Sequence, residues 1–302
     1  MTGVRTFEIE LDAERISAIV AAKGERSLSV CIPCRDEVAT IGPIVQVIRD
    51  QLIDRLGIVD EVIVLDDRST DGTAQVAALC GARVVSIEDI HESHGTGHGK
   101  GNALWASLLV SSGDIVVWLD GDVTSFDHDW VLRLVAPLLE DDSVALVKAY
   151  YHRPTDQGGG GRTTELVARP LLSLLCPDLA RVIQPLAGEY AVRRSVVEAI
   201  PFVEGWGVEI AMLLDVAQHH GAESIGQVDL GIREHRNRSL SELAVQAAEI
   251  MATLHIRVLG AQALTDEEAT LIRPDGSVVP LNLAERRPLS QLDTGDSSVS
   301  IG

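Results

Sequence analysis

Short apolar runs separated by helical patterns constrain the fold of this chain more than any other feature of its sequence. Runs typical of buried strands lie at residues 28–32, 61–66, 82–86 and 114–119. Amphipathic patterns typical of helices lie between them, at residues 40–56, 73–80 and 102–111. Strands that alternate with helices form parallel βαβ units with right-handed crossovers. The first half of the chain is therefore predicted to form a parallel α/β sheet.

The second half of the chain is more helical. A glycine run at 158–161 predicts a flexible loop. Helical patterns follow at 164–175, 191–200, 207–220 and 239–259, with one further strand at 227–232. Before the first strand, residues 8–23 carry apolar positions at helical spacing. Pro33 is predicted to end that first strand, and the polar tail beyond Arg287 is expected to be mobile.

The formal charge of −20 restricts the partners of this protein. Nucleic acids and anionic membranes require an electropositive surface, so neither is expected to bind. The N-terminus has no apolar signal core, and a soluble cytoplasmic protein is expected. Four cysteines are too few for a disulfide framework, which agrees with a reducing compartment. Cys31 and Cys34 have redox spacing, but Cys31 lies inside an apolar run, so redox function is not favoured.

Two carboxylates, Asp120 and Asp122, follow the apolar run at 114–119. Strands of open α/β sheets deliver functional side chains at their carboxyl ends. Hard oxygen ligands beside an anionic ligand suit Mg²⁺, with Mn²⁺ as the other option. A solvated acidic turn is the competing interpretation, and for an isolated Asp-Gly-Asp it is the better one.

Charged residues follow other predicted strands as well. The acidic turns at 33–37 and 66–72 can hydrogen-bond a ribose and a base edge, although either one alone is typical of an ordinary turn. Lys100, one of three lysines, lies in a glycine-rich loop before a helix, where an ammonium and backbone amides can meet a diphosphate. That loop matches neither a Walker loop nor the dinucleotide-binding fingerprint. His235 is a candidate third metal ligand or part of a solvated basic turn.

Four longer segments resemble one group of enzymes. They are Gly161-Arg-Thr-Thr-Glu-Leu-Val-Ala-Arg-Pro-Leu-Leu172, Gln184-Pro-Leu-Ala-Gly-Glu-Tyr-Ala191, Gly205-Trp-Gly-Val-Glu-Ile210 and Arg233-Glu-His-Arg-Asn-Arg238. In this order they resemble the actinobacterial glucosyl-3-phosphoglycerate synthases and their mannosyl-3-phosphoglycerate relatives, which are A-type nucleotide-sugar glycosyltransferases. The Asp-Gly-Asp sequence matches the Asp-x-Asp metal motif of these enzymes.

The resemblance implies a fold and an organisation of the chain. The fold would be the α/β A-type glycosyltransferase fold, a Rossmann-like, mostly parallel sheet flanked by helices, with a more helical acceptor-binding half. Residues 1–25 would form an N-terminal helix or arm and residues 26–125 the nucleotide-sugar-binding subdomain. Residues 126–260 would form the acceptor-binding subdomain and residues 261–302 a C-terminal tail. The resemblance also implies a homodimer.

The reaction implied is the transfer of glucose from UDP-glucose to the 2-hydroxyl of 3-phosphoglycerate, with retention of configuration and with Mg²⁺. No carboxylate stands out as a covalent nucleophile, so same-face attack is favoured, with a diphosphate oxygen accepting the proton. Asp122 and His235 would hold the metal. The catalytic residues would be Asp120, Glu209 and Arg233. The donor would be bound by Pro33, Glu37, Asp67, Lys100, Asp120, Gly121, Glu209 and Arg233. The acceptor would be bound by Gly161, Arg162, Thr164 and Asn237.

Departures from the family pattern leave the donor open. Asp67 and Arg68 replace small residues where the base should bind, and guanine could use a carboxylate there. GDP-mannose is therefore the alternative donor, alone or beside UDP-glucose. Trp206 replaces a smaller aromatic residue expected beside the sugar. A sugar-1-phosphate nucleotidyltransferase is a more distant alternative, but the glycine-rich signature of that class does not follow the first strand. A non-enzymatic sugar-nucleotide sensor would bind without turnover.

Overall fold

An eight-stranded sheet forms the centre of the computed structural model, which describes residues 3–152, 161–233, 240–260 and 269–292. Two small two-stranded sheets accompany it. The strands are β1 Arg5–Phe7, β2 Leu28–Cys34, β3 Glu61–Asp66, β4 Arg83–Ser86, β5 Ile115–Trp118, β6 Leu146–His152, β7 Tyr190–Arg193, β8 Phe202–Val203, β9 Ile225–Ile232, β10 Thr270–Ile272, β11 Val278–Pro280 and β12 Glu285–Arg286.

The large sheet is parallel except at one strand, which confirms the predicted mostly parallel sheet. Its order is β1-β9-β6-β7-β5-β2-β3-β4. Strand β7 runs antiparallel to both of its neighbours, β5 and β6, and all other pairs are parallel. The carboxyl ends of β2, β3, β5, β6 and β9 therefore meet at one edge of the sheet, together with the amino end of β7.

Helices cover both faces of the sheet. The α-helices are α1 Ala13–Lys23, α2 Val38–Val47, α3 Thr73–Leu79, α4 Ile87–His94, α5 Lys100–Val110, α6 Asp129–Glu140, α7 Arg169–Leu175, α8 Arg194–Val197, α9 Val208–His220 and α10 Leu240–Leu259. π-helical segments, Ile48–Arg55 and Thr164–Ala168, adjoin α2 and α7. Single 3₁₀ turns occupy Pro177–Leu179, Ala222–Ser224 and Leu289–Gln291.

Two apolar layers result, one on each face of the sheet. Helices α1, α2, α3 and α6 contribute to the first layer. Helices α4, α5 and α7 to α10 contribute to the second. Strands covered on both faces contain continuous apolar runs rather than alternating ones, and this explains the pattern from which they were predicted.

The helical pattern predicted at 191–200 is wrong over its first part. Tyr190–Arg193 is strand β7, and only the four residues Arg194–Val197 are helical. Because β7 lies between β5 and β6 with both faces covered, its first three residues, Tyr190 to Val192, are apolar without alternation and resemble one turn of a buried helix.

Pro33 was predicted to end the strand that begins at Leu28. This prediction is wrong, since that strand, β2, continues to Cys34. Cys31 O accepts a hydrogen bond from Leu119 N, on the β5 side, whereas Cys34 O accepts one from Asp67 N, on the β3 side. The missing N–H of Pro33 therefore faces the side on which β5 has ended, and no ladder hydrogen bond is lost.

Residues 288–292 pack on the core, so the prediction of a mobile tail beyond Arg287 is wrong for them. Leu289 and Leu292 contact the second apolar layer. Ser290 N donates to Glu198 O at 2.9 Å. Before them, β12 pairs antiparallel with β8. Within the described parts of the chain, none of the helices combines the length and the apolar character that crossing a membrane requires.

Candidate active site

The carboxyl edge of the sheet brings together five residues from distant parts of the chain. Asp120 and Asp122 follow β5, and Arg233 directly follows β9. Lys100 is the first residue of α5, and Glu209 lies in the first turn of α9. All five were predicted site residues, and the ion pairs among them are described next.

Lys100 joins two of the predicted site carboxylates. Its Nζ lies 2.5 Å from Asp120 Oδ1 and 2.8 Å from Glu209 Oε1. Burial disfavours the charge, but the two carboxylates outweigh it and hold the pKa of Lys100 well above its usual value. The lysine is therefore a permanent cation at neutral pH, at the amino end of a helix, where a diphosphate is favoured.

Arg233 contacts three carboxylates at once. Its Nε donates to Glu189 Oε1 at 2.7 Å. Its Nη2 donates to Asp120 Oδ2 at 2.7 Å and to Asp122 Oδ1 at 3.2 Å. Burial works against the charge, yet Glu189 and the other acidic groups raise the pKa of Arg233 above its already high value. A buried guanidinium thus caps the Asp-Gly-Asp turn.

Gly188 and Glu189 belong to this cluster, although no role was predicted for them. A Cβ on Gly188 would clash with both carboxylate oxygens of Asp120, so any side chain there would displace that carboxylate. Glu189 is fully buried beside β7, and its carbonyl accepts from Ala149 N at 3.0 Å. Both lie in the segment 184–191 that carried the family resemblance. An acidic residue beside an apolar strand is the signal that could have identified Glu189.

Lys148 lies buried beneath the cluster and was not predicted to take part. Its Nζ donates to Ala187 O at 2.6 Å and lies 4.3 Å from the centroid of the Tyr190 ring. Burial lowers the pKa of Lys148 to about 8, although Glu209 acts in the opposite direction. The lysine therefore fastens the turn before β7 to β6.

Residues near the C-terminus brace the loop that carries Lys100. Gly101 N donates to Glu204 O at 2.8 Å, and a Cβ on Gly101 would lie 1.8 Å from a backbone carbonyl oxygen of β8. Arg286 of β12 pairs with Glu204 at 3.0 Å and donates to Asn102 Oδ1 at 2.8 Å. The position of Lys100 thus depends on a segment that was predicted to be only a tail.

Three further donor-binding predictions meet beside the Asp-Gly-Asp turn. A Cβ on Gly121 would lie 3.5 Å from Pro33 O and 3.6 Å from Glu37 Cγ. Glu37 N donates to Thr73 Oγ1 at 2.8 Å, which ties the turn after β2 to the start of α3. The structure therefore brings Pro33, Glu37 and Gly121 together.

Asp67 is paired within its own turn. Arg68 Nε and Nη2 both donate to Asp67 Oδ1, at 2.9 and 2.6 Å. Arg68 has a φ of 61°, a left-handed conformation that is uncommon outside glycine. The carboxylate that could accept hydrogen bonds from guanine is thus already engaged by a guanidinium.

The predicted acceptor residues lie on a different element. Gly161 O accepts from Glu165 N at 2.9 Å, at the start of the helical segment that continues into α7. Thr164 is buried there, and Arg162 precedes it. Their role stays a prediction. The predicted metal ligand His235 and the predicted acceptor residue Asn237 lie outside the described residues.

Other candidate sites do not gain support. Burial raises the pKa of Cys31 to about 12 and that of Cys34 well above its usual value, so neither is a reactive thiol. Within the described ranges, Asp127, His128 and Asp129 have ligand atoms within 4.8 Å of one another. They form an acidic turn at the start of α6, where Asp129 N donates to Asp127 Oδ1 at 2.9 Å.

Comparison with known proteins identifies the family to which this chain belongs. The model of glycosyl transferase family 2 matches residues 29–198. Glucosyl-3-phosphoglycerate synthase of Mycolicibacterium paratuberculosis is 43% identical over 296 residues, covering 92% of this chain and 88% of that protein. The enzyme of Mycobacterium tuberculosis is 46% identical over 248 residues, covering 79% and 76%. The chain belongs to the glucosyl-3-phosphoglycerate synthase family, within glycosyl transferase family 2.

Solved structures agree with this assignment and with the A-type glycosyltransferase fold. One is the M. tuberculosis glucosyl-3-phosphoglycerate synthase in complex with Mn²⁺, UDP-glucose and phosphoglyceric acid. It has a TM-score of 0.85 and 41% identity, covering 95% of this chain and 98% of that one. Another is the same enzyme with Mg²⁺ and UDP, with a TM-score of 0.84 at 41% identity, covering 95% and 98%.

Proposed function

We propose that this protein is a retaining glucosyltransferase that moves glucose from UDP-glucose to the 2-hydroxyl of 3-phosphoglycerate, giving glucosyl-3-phosphoglycerate. One observation carries the proposal. Lys100, at the start of α5, and Arg233, directly after β9, both contact Asp120 of the Asp-Gly-Asp turn. A half-buried cation at a helix end and a buried cation at a strand end suit an anionic diphosphate. The relatives that share this fold are named for this reaction, and their complexes contain both substrates.

The metal ion proposed is Mg²⁺ or Mn²⁺, and the donor set fits it. Asp122 offers hard carboxylate oxygens on a side chain that is 30% exposed, at a strand end beside Arg233. It would hold the ion with His235, which lies outside the described residues. When bound, the ion supplies positive charge that stabilises the leaving diphosphate. The M. tuberculosis complexes with Mn²⁺ or Mg²⁺ support this choice.

The chain's own residues would divide the remaining work. Arg233 and Lys100 would stabilise the charge that develops on the diphosphate, which is electrostatic catalysis. Asp120 would contact the donor sugar or ribose, and Glu209 the hydroxyls of the transferred sugar. The nucleotide would lie along the group Pro33, Glu37, Asp67 and Gly121. The acceptor's phosphate or carboxylate would meet the group Gly161, Arg162, Thr164 and Asn237.

Same-face attack is the mechanism proposed. Asp120 and Glu209 are both ion-paired to Lys100, and this pairing makes each a weaker nucleophile. The acceptor hydroxyl would attack on the face from which the diphosphate leaves, and a diphosphate oxygen would accept its proton. Retention then follows without a covalent glucosyl-enzyme.

UDP-glucose is the donor proposed over GDP-mannose. Arg68 donates two hydrogen bonds to Asp67 Oδ1, and the positive charge of this guanidinium weakens the attraction of the carboxylate for the N–H donors of guanine. The solved complexes of the family contain UDP or UDP-glucose.

Turnover with a panel of donors tests the proposal. The enzyme is incubated with 3-phosphoglycerate, Mg²⁺ and either UDP-glucose or GDP-mannose, and released nucleoside diphosphate is measured by a coupled assay. We expect UDP release that requires both acceptor and metal, and an α-glucoside identified by NMR from the α-linked donor. Preferred use of GDP-mannose would overturn the donor assignment. Tight UDP-glucose binding without release would favour a sensor, and pyrophosphate release from UTP would favour a nucleotidyltransferase.

Assembly and location complete the proposal. A homodimer and a cytoplasmic location stay predictions, measured by light scattering and by cell fractionation. The formal charge of −20 still argues against nucleic-acid and anionic-membrane partners.

A further inference from the structure

Glu189 is the most deeply buried carboxylate of the cluster. Its side chain is 0% exposed, compared with 23% for Asp120 and 30% for Asp122. It therefore has no surface from which to touch a substrate. Its main chain is fixed in the sheet, because Ala149 N donates to its carbonyl. Any part that Glu189 plays in the reaction must act through another residue.

The residue that Glu189 contacts is Arg233. The 2.7 Å bond from Arg233 Nε to Glu189 Oε1 joins two side chains that are 3% and 0% exposed. A buried guanidinium is tolerated only with counter-charges and hydrogen-bond acceptors. Among the described residues, the second oxygen of Glu189 has no hydrogen-bond partner. The buried carboxylate is thus committed to this one ion pair.

The other two partners of Arg233 are shared. Asp120 is also the counter-ion of Lys100 at 2.5 Å, and Asp122 is the metal ligand proposed above. Both are partly exposed, and both contact the same atom of Arg233, Nη2. The planar guanidinium separates the two sets of contacts, with the buried Glu189 on Nε and the partly exposed carboxylates on Nη2. The Glu189 contact lies away from solvent, so it can persist when a diphosphate arrives at Nη2.

We propose that Glu189 is the positioning residue for Arg233: it holds Nε in place while Nη2 exchanges the Asp120 and Asp122 carboxylates for the donor's diphosphate. The proposal rests on the function proposed above, in which Arg233 stabilises the leaving group. Without this anchor, the guanidinium would follow the carboxylates of Asp120 and Asp122 and point away from the diphosphate. Neighbouring Lys148 cannot substitute for the anchor, because its ammonium group is a cation that offers no acceptor to Nε.

A double-mutant cycle on turnover tests the positioning role. Glu189→Ala should lower kcat about tenfold to a hundredfold, the range found when a supporting partner of an active-site group is removed, with a smaller change in the KM for UDP-glucose. Glu189→Gln keeps an oxygen that can accept from Nε and should recover part of the loss. Glu189→Ala combined with Arg233→Ala should be no slower than Arg233→Ala alone, because residues that act as a unit are not additive.

A matched control separates positioning from support of the fold. Asp215 is also buried and pairs with an arginine, Arg257, at 2.9 Å, but lies outside the cluster. Asp215→Ala should lower the melting temperature with little change in kcat. If Glu189→Ala lowers the melting temperature equally while kcat is unchanged, Glu189 is structural only and the proposal is wrong. If Glu189→Ala does not fold, Glu189→Gln decides, and a wild-type kcat in that variant overturns the proposal.

A crystal structure of Glu189→Ala gives an answer that does not depend on the donor. We expect the Arg233 guanidinium to be displaced from its present position. An unmoved guanidinium, or a double variant at least about tenfold slower than Arg233→Ala, would overturn the proposal. If the wild-type protein releases no UDP from UDP-glucose and 3-phosphoglycerate, the proposed function fails, and the displacement of Arg233 still decides the role of Glu189.

Discussion

Two acidic turns lie at the same edge of the sheet, and their ion pairs differ in origin. After β3, Asp67 pairs with Arg68, the next residue in the chain. After β5, Asp120 pairs with Lys100 and with Arg233, which are 20 and 113 positions away. Both turns are acidic strand ends with a basic partner, but one pair is local and the other is built by the whole fold.

The difference shows which turn is organised for chemistry. A pair between adjacent residues forms in almost any turn and says little about function. Two cations that converge on one partly buried carboxylate must lose solvent, and only tertiary packing can hold them there. When an anionic diphosphate enters, those cations gain a further partner. We therefore expect catalytic effects to concentrate at the β5 turn and specificity effects, if any, at the β3 turn.

The largest expected effect is at the β5 turn. Asp122→Ala should lower turnover about a thousandfold or more, because it removes a proposed metal ligand beside the leaving group. Rate and metal dependence are measured at saturating substrates, with the melting temperature as a check of folding. Asp127→Ala, on an exposed acidic turn at the start of α6, is the matched control and should retain activity. If Asp122→Ala keeps metal-dependent activity near that of the wild type, Asp122 is not a metal ligand.

Lys100→Met should have the second-largest effect, a loss of about a hundredfold in kcat/KM for the donor. The raised pKa of Lys100 keeps it protonated below its folded pKa, so the ratio of wild-type to variant rates should be flat across neutral and mildly alkaline pH. Lys23→Met removes a similarly buried lysine that pairs with Asp60 at 2.8 Å and should affect stability alone. A ratio that falls steadily with rising pH would show that the amine titrates during the assay.

Arg162→Ala should act on the acceptor side. Losing a charge-assisted hydrogen bond costs roughly 1.5–3 kcal/mol, so the KM for 3-phosphoglycerate should rise about tenfold to a hundredfold with little change for UDP-glucose. Arg169→Ala is the control, since Arg169 pairs with Glu165 at 2.8 Å on the same helical segment. Equal changes in both KM values would place the acceptor elsewhere.

The smallest expected effect is at the β3 turn. Asp67→Ser should change the preference for UDP-glucose over GDP-mannose by less than about threefold, because the carboxylate is already bound by Arg68. Arg68→Ala serves as the companion variant, since it releases the carboxylate without removing it. Competition between the two donors in the wild type and both variants measures the preference. A selective loss of GDP-mannose use in Asp67→Ser would show that Asp67 binds the base. The β3 turn would then also have a functional role, and the two turns would no longer differ in this respect.

Local patterns predicted much of the site but not its contacts. Asp120, Asp122 and Lys100 follow or precede elements whose apolar periodicity is visible in a few residues, and the structure places them together. The contact of Arg233 with all three carboxylates had no local signal, because its partners lie in other strands. Glu189 carried no predicted role, although its segment was part of the family resemblance.

The sequence by itself determined the alternation of strands and helices, the acidic strand ends and the family. Each of these can be recognised in short segments from the types of residue and their spacing. Only the tertiary structure decided that β7 is an antiparallel strand inserted beside β5. The insertion carries Gly188 against Asp120 and Glu189 against Arg233. Sheet order and burial are set by pairings between distant segments, and apolar residues that are covered on both faces are compatible with either a strand or a helix until those neighbours are known.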